Sequence, residues 1–234
     1  MISRWGRPWG CPLIVSVLVA VPLAAQQVTA PIRFAVVWSG GSARGPLADI
    51  AKPPQGFTAQ LALPLDRGAA LGIRAEFSVL TFPERILTVA GDGDAAPVTV
   101  TARGTIGFTG AGPRLEARLG PAAISVAAMG GFVRVITDAA ARTEVDGVPN
   151  SANISESDFA FAVKTAVDIH LSPFRDRHGT ALGVVVGADW STGGNVAFPA
   201  LQSFRMTAPG TLTLQRPLVR PELTTLRVGV AVEF

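Results

Sequence analysis

Apolar side chains alternate with polar or small ones in eight stretches of the chain, and the last stretch is the most regular. Leu226, Val228, Val230, Val232 and Phe234 fall on one face; Arg227, Gly229, Ala231 and Glu233 fall on the other. A period of two puts successive side chains on opposite faces of a β-strand. The alternation predicts strands over 32–38, 56–65, 71–79, 98–117, 124–136, 159–171, 180–190 and 223–234. In 159–171, Phe159, Phe161, Val163, Thr165, Val167, Ile169 and Leu171 share one side, while Ala160, Ala162, Lys164, Ala166, Asp168 and His170 share the other. In 71–79 the apolar set Leu71, Ile73, Ala75, Phe77 and Val79 leaves Arg74, Glu76 and Ser78 opposite, and Asp66-Arg67-Gly68 links this strand to 56–65 as a hairpin. Two segments are less decided. Gly112 and Pro113 interrupt 98–117 and predict a bulge or a strand projecting past its neighbours, and 124–136 is rich in Ala and Gly, so its register is weakly specified.

The connections alternate between short (66–70, 118–121, 172–179) and long (39–55, 83–97, 137–157, 191–221). Eight strands with this alternation predict an all-β fold, a closed antiparallel up-and-down transmembrane β-barrel with both termini at the short-turn end. The short turns are assigned to the periplasm and the long loops to the outside. Residues 210–214 could pair with the region 196–206 as a further hairpin, which gives a ten-stranded alternative. A soluble antiparallel barrel or sandwich would alternate in the same way.

Composition narrows the setting. The 25 Gly and 18 Pro are scattered, as many short strands with turns require. The one continuous apolar run, 11–25, follows Arg4 and Arg7 and ends in Leu23-Ala24-Ala25. At roughly 14 residues it is shorter than the about 20 a spanning helix needs, and it predicts a signal peptide over 1–25 with a single barrel domain over 26–234. Its removal takes two positive charges from a chain of formal charge +3, so no basic surface for nucleic acid is left. The only cysteine, Cys11, leaves with it, which excludes disulfides, thiol chemistry and cysteine metal sites.

The signal segment, the alternating strands, the Gly-Pro-Arg-Leu-Glu-Ala-Arg-Leu-Gly-Pro stretch at 112–121 and terminal Phe234 together resemble the small bacterial outer-membrane β-barrel domain family, the OmpA-type transmembrane barrel without a periplasmic domain. The resemblance covers nearly all of 26–234. It implies a place in the outer membrane of a Gram-negative envelope, contact with outer-membrane lipid, and recognition of Phe234 by the barrel-assembly machinery. It leaves the activity open, since the family holds adhesins, anchors, ligand carriers and lipid-modifying enzymes. There is no tyrosine, so aromatic belts rest on Phe with Trp38 and Trp190. No peptidoglycan-binding segment follows the barrel, which argues against a cell-wall tether.

The inward-facing charges form the most informative constellation. Arg33, Arg74, Lys164 and Arg227 stand against Glu76, Asp168, Asp189 and Glu233. Eight strands leave an interior just wide enough for side chains, where unpaired charges are costly, so these eight are expected to pair into a plug. Closure of the first strand on the last brings Arg33 toward Glu233, and Arg227 toward Asp189 higher up. An ion pathway is the rival reading of the same charges.

His170-Leu171-Ser172 resembles the His-x-Ser element of outer-membrane lipid A deacylases, yet it sits at a periplasmic turn without an acidic partner, so a rim histidine and a turn serine are expected. His178 reads as turn chemistry, and Gly91-Asp92-Gly93-Asp94 lacks the closing Glu of a calcium loop. Gly110-Ala111-Gly112 marks strand or bulge, and Asn153-Ile154-Ser155 is an incidental glycosylation match. No metal or cofactor is expected. Phe198, Leu201, Phe204 and Met206 on the longest loop are candidates for contact with an extracellular partner, or for packing over the barrel mouth. The sequence thus predicts a monomeric, non-enzymatic barrel with a structural or surface-interaction role. A small pore or hydrophobic-ligand transporter is the first alternative and a lipid-modifying enzyme the second.

Overall fold

The structure is a computed structural model that describes residues 31–89, 98–145, 148–175, 179–198, 204–208, 211–214 and 217–234. The segment 1–25, Gly91 to Asp94, Leu201 and His178 lie outside the described residues. The strands are β1 (Arg33–Arg44), β2 (Gln55–Pro64), β3 (Leu71–Thr81), β4 (Arg85–Val89), β5 (Val98–Leu119), β6 (Ala122–Val145), β7 (Val148–Arg175), β8 (Ala181–Gly193), β9 (Val196–Ala197), β10 (Phe204–Ala208), β11 (Thr211–Leu214), β12 (Leu218–Val219) and β13 (Glu222–Glu233), with one short helix, α1 (Pro46–Ile50).

Eight of these strands close into a ring. The order β3-β2-β1-β13-β8-β7-β6-β5 is joined by pairing of β3 with β5, and every pairing is antiparallel. The seam between first and last strand runs from Arg33 opposite Glu233 to Arg44 opposite Glu222. β10 pairs only with β11, and β12 with β9, so the extra hairpin lies outside the ring and the barrel has eight strands rather than ten.

The walls are of unequal height. β2 has 10 residues and β7 has 28, a difference of about 60 Å of contour at ~3.3 Å per residue. β7 pairs with β8 only from Ala162 downward, while β6 follows β7 up to Val145 opposite Val148. β4 lines the free side of β5 from Arg85 to Val89. Much of what reads as the long loops 83–97 and 137–157 is therefore a four-stranded sheet, β4 to β7, rising beyond the barrel mouth.

No bulge forms at Gly112 and Pro113. Ala111 faces Gly130 and Arg114 faces Ala127, so pairing with β6 resumes in the same register, and both residues stay paired with β3. Pro113 forfeits one donor without shifting the ladder. Gly112 passes so close to the Ala128 carbonyl that a Cβ could not fit. The irregular step lies instead on β7, where the register shifts between Leu171 and Phe174.

Candidate functional site

Because the pleat has a period of two, one face of each barrel strand supplies the lumen. Inward positions are Arg33 on β1, Arg74 and Glu76 on β3, Arg114 and Glu116 on β5, Lys164, Asp168 and His170 on β7, Asp189 on β8, and Arg227 and Glu233 on β13, all buried. Their charges meet in two clusters. Near the end where β1 begins and β13 ends, Arg33 donates to Glu233 through Nε at 2.7 Å and to Glu116 through Nη1 at 2.7 Å. Arg114 also reaches Glu116, and Arg118 donates to it at 2.9 Å.

Deeper in the barrel, Arg227 is the hub. Its guanidinium stands 3.1 Å from Glu76, 2.7 Å from Asp168 and 3.1 Å from Asp189. Arg74 joins Glu76, at 2.5 Å, to Asp168, and Lys164 joins Glu76 to Asp189, the latter at 3.3 Å. Asp189 lies within ion-pair distance of two cations at angles that give its oxygens no hydrogen bond. Each charge thus faces opposite charges in a region without bulk water, where a lone ion would be costly.

The structure brings together all eight charges that alternation put inside, and adds Arg114, Glu116 and Arg118. The signal for these three is present as Arg-Leu-Glu-Ala-Arg at 114–118, a clean alternation. It is obscured because the inward face of β5 turns apolar above it, through Phe108, Ile106, Ala102, Val100 and Val98.

That apolar face belongs to a second layer. Leu47 of α1, Leu80, Phe82, Ile106, Phe108, Val133, Val196, Phe198 and Leu223 pack into one buried cluster in the upper lumen. Phe82 and Phe198 meet edge to face at 5.1 Å, and Lys164 sits 5.1 Å from the Phe108 ring, where the charged layer meets the apolar one. Phe198 is therefore not an exposed contact residue: it is 3% exposed and plugs the mouth, because burying a phenyl ring in the barrel is more favourable than presenting it to water. Phe204 and Met206 lie on β10, opposite Leu214 and Leu212.

His170 does not engage Ser172. Its Nε2 lies 3.3 Å from the Ser125 hydroxyl, and the register shift after Leu171 takes Ser172 off the alternation. His170 is buried in the lumen, not at a rim. Ser172 uses its backbone amide to bond the Pro121 carbonyl. Among the described residues no group of three or more His, Asp or Glu stands close enough to hold a metal ion.

The outer surface is the reverse of the inner one. Phe34, Trp38, Phe57, Phe77, Phe132, Phe161, Ile169, Val186, Trp190 and Val228 all point outward and are exposed, Phe57 and Phe132 at 64% each. On β7 the outward set is mostly apolar from Leu171 to Phe159 and turns to Ser157, Ser155 and Asn153 above; on β6 Phe132 is followed by Arg134 and Asp138. Thirteen residues of strand tilted by about 45° rise about 30 Å, the thickness of a hydrocarbon core. A soluble barrel would expose no such belt.

No protein-family model and no curated protein matches the chain. Among solved structures it is similar to Ail, the attachment invasion locus protein of Yersinia pestis, at 13% identity and TM-score 0.42 over 88% of this chain and 97% of that one. It is similar also to Neisserial surface protein A, NspA, at 7% identity and TM-score 0.38 over 86% and 95% of the two chains. A third is a major outer membrane protein from Thermus thermophilus, at 13% identity and TM-score 0.39 over 87% and 99%. The architecture rests on this chain's own register and surface. A closed ring with no free edge in the apolar belt and with its charges turned to the axis satisfies every demand a bilayer makes of a β-protein, and the chain is an eight-stranded outer-membrane β-barrel.

Proposed function

We propose that this protein is a sealed, non-enzymatic barrel that mounts a β-sheet above the membrane, where the sheet serves a surface-interaction or envelope-structural role. The observation that carries this reading is the pairing of a filled lumen with a projecting wall. The charged and apolar layers fill the middle and upper lumen, where the voids measure about 20 and 10 Å³, room for single water-sized occupants at most, while a wider cavity of about 310 Å³ lies at the end bordered by Arg33, Arg118, Ser172 and Glu233. The sheet β4 to β7 gives most of its outer face to polar and charged groups, Thr99, Thr101, Arg103, Asp138, Arg142 and Ser155, beside exposed Ile86, a surface suited to solvated contact rather than to lipid.

In this reading the ion pairs are structural, the long connections face outward from the cell, and Phe234 with the apolar face of β13 is the segment the barrel-assembly machinery reads. The test has two arms. Reconstituted protein should pass no current in a planar bilayer. A variant with 140–153 replaced by a two-residue turn should still show heat-modifiable gel migration, while cells carrying it lose surface adherence or resistance to detergents. Unitary conductance in the first arm, or unchanged adherence and envelope integrity in the second, sinks the reading.

A further inference from the structure

Between the two charge clusters lies a small void of about 10 Å³ whose polar wall is Arg33, Arg74, Arg114, Gln60, Ser125 and His170. We propose that this void is a binding site for one monatomic anion, a halide such as chloride. Three guanidinium-bearing side chains line it and no carboxylate does. Three donors on lining residues, Gln60 Nε2, Arg74 Nε and Arg114 Nε, are buried without a partner in the protein, on side chains only 5%, 2% and 5% exposed. Each such donor is costly if left unmade, the more so when charged.

A water molecule has two lone pairs and cannot answer all of these donors. A halide accepts from every side. His170 fits the same account: Nε2 lies 3.3 Å from the Ser125 hydroxyl, and Nδ1 has no partner. With the hydroxyl donating to Nε2, the ring proton sits on Nδ1 and becomes a fourth donor.

The buried charge around the void is close to even. The two clusters hold six cations, Arg33, Arg74, Arg114, Arg118, Lys164 and Arg227, against five carboxylates, Glu76, Glu116, Asp168, Asp189 and Glu233. The one surplus cation is Arg118, whose side chain is 32% exposed and does not line the void, so the buried groups beside the void, Arg33 and Arg114 against Glu116 and Glu233, balance, and the unpartnered donors alone call for an anion. The size of the void admits one atom-sized occupant and excludes sulfate and phosphate.

The site is tested by crystals of the full barrel soaked in bromide, with diffraction recorded at the bromine edge. An anomalous peak among the three guanidinium groups is expected; density there that refines as water with no anomalous signal overturns the proposal. In vesicles at fixed ionic strength, a tenfold rise in chloride from half-saturation should raise the folded-to-unfolded ratio about fivefold relative to gluconate, approaching tenfold per decade at higher chloride. No difference between the two salts overturns it as well. Ala62 also lines the void, so Ala62→Val should fill it and abolish the chloride dependence; persistence of that dependence in the folded variant places the anion elsewhere. If Ala62→Val does not fold, the bromide experiment on the unaltered chain decides alone. Silence in planar bilayers tests the sealed-barrel reading separately, since a barrel can seal with or without the ion.

Discussion

Arg33 and Glu233, 200 positions apart in the chain, face each other across the seam that closes the barrel, with Nε 2.7 Å from Oε1. Arg33 also holds Glu116, so the two partners are not equivalent. Removing Glu233 leaves Arg33 paired with Glu116, whereas removing Arg33 takes the bridging cation from carboxylates on two strands at once, leaving Glu116 to Arg114 and Arg118 and Glu233 with Arg118 at 3.8 Å. Arg33→Met is expected to cost about 3–5 kcal/mol and Glu233→Gln clearly less, measured by urea unfolding in vesicles. The double reversal Arg33→Glu with Glu233→Arg should recover part of the loss, the remainder reflecting Glu116. Equal losses for the two single variants, or no recovery in the double, would show that the seam is not held by this pair.

Arg227 has three carboxylates in reach and is 2% exposed. Arg227→Met leaves Arg74 and Lys164 to balance three acids, and the expected loss is about 3–5 kcal/mol. Arg227→Lys should fall between, because an ammonium keeps the charge but cannot fork toward several acceptors. The temperature at which the folded gel band converts to the unfolded one orders the three proteins. A lysine variant no better than methionine would mean that charge is not what Arg227 contributes.

Gly187 faces inward opposite Asp168, and a Cβ there would collide with the Asp168 carboxylate. That carboxylate binds both Arg74 and Arg227. Gly187→Ala adds a single methyl group, yet it should behave like a broken buried pair, losing about 3–5 kcal/mol. Coupling settles the cause: in an Asp168→Asn background the same substitution should cost much less, read from a double-mutant cycle. Additive losses would assign the effect to the backbone alone.

The fold was legible wherever one face of a strand meets lipid and the other meets charge. Lys164, Asp168 and His170 alternate with Val163, Val167 and Ile169, and a period of two then has a single reading. It failed where both faces are apolar. Along β5, Ile106 and Phe108 point into the plug while Leu115 points to lipid, so hydrophobicity could not say which side was inside. Arg114 and Glu116 were lost with that face. Phe198 was hidden for a different reason: an apolar residue on a long connection gives no local sign that it folds back into the mouth. The height of β6 and β7 above the membrane was likewise invisible, because strands that pair only with each other outside lipid need no apolar face.

The plug and the charged layer make separable contributions to the seal. Phe198 meets Phe82 at 5.1 Å, and it stands in the upper layer above Lys164 and Asp189. Phe198→Ala removes a buried ring at a cost of about 3–5 kcal/mol where the site cannot collapse. That loss falls on the docking of the connection between β8 and β13, since Phe198 lies on none of the eight strands that pair around the barrel wall. The barrel should therefore keep its heat-modifiable migration while added protease cuts within 194–221 sooner than in the unaltered protein. The lower layer stays filled by Arg227, Lys164 and their acids, so the variant should remain silent in a planar bilayer. Single-channel current from Phe198→Ala would show that the apolar plug alone closes the lumen and that the charged layer is permeable.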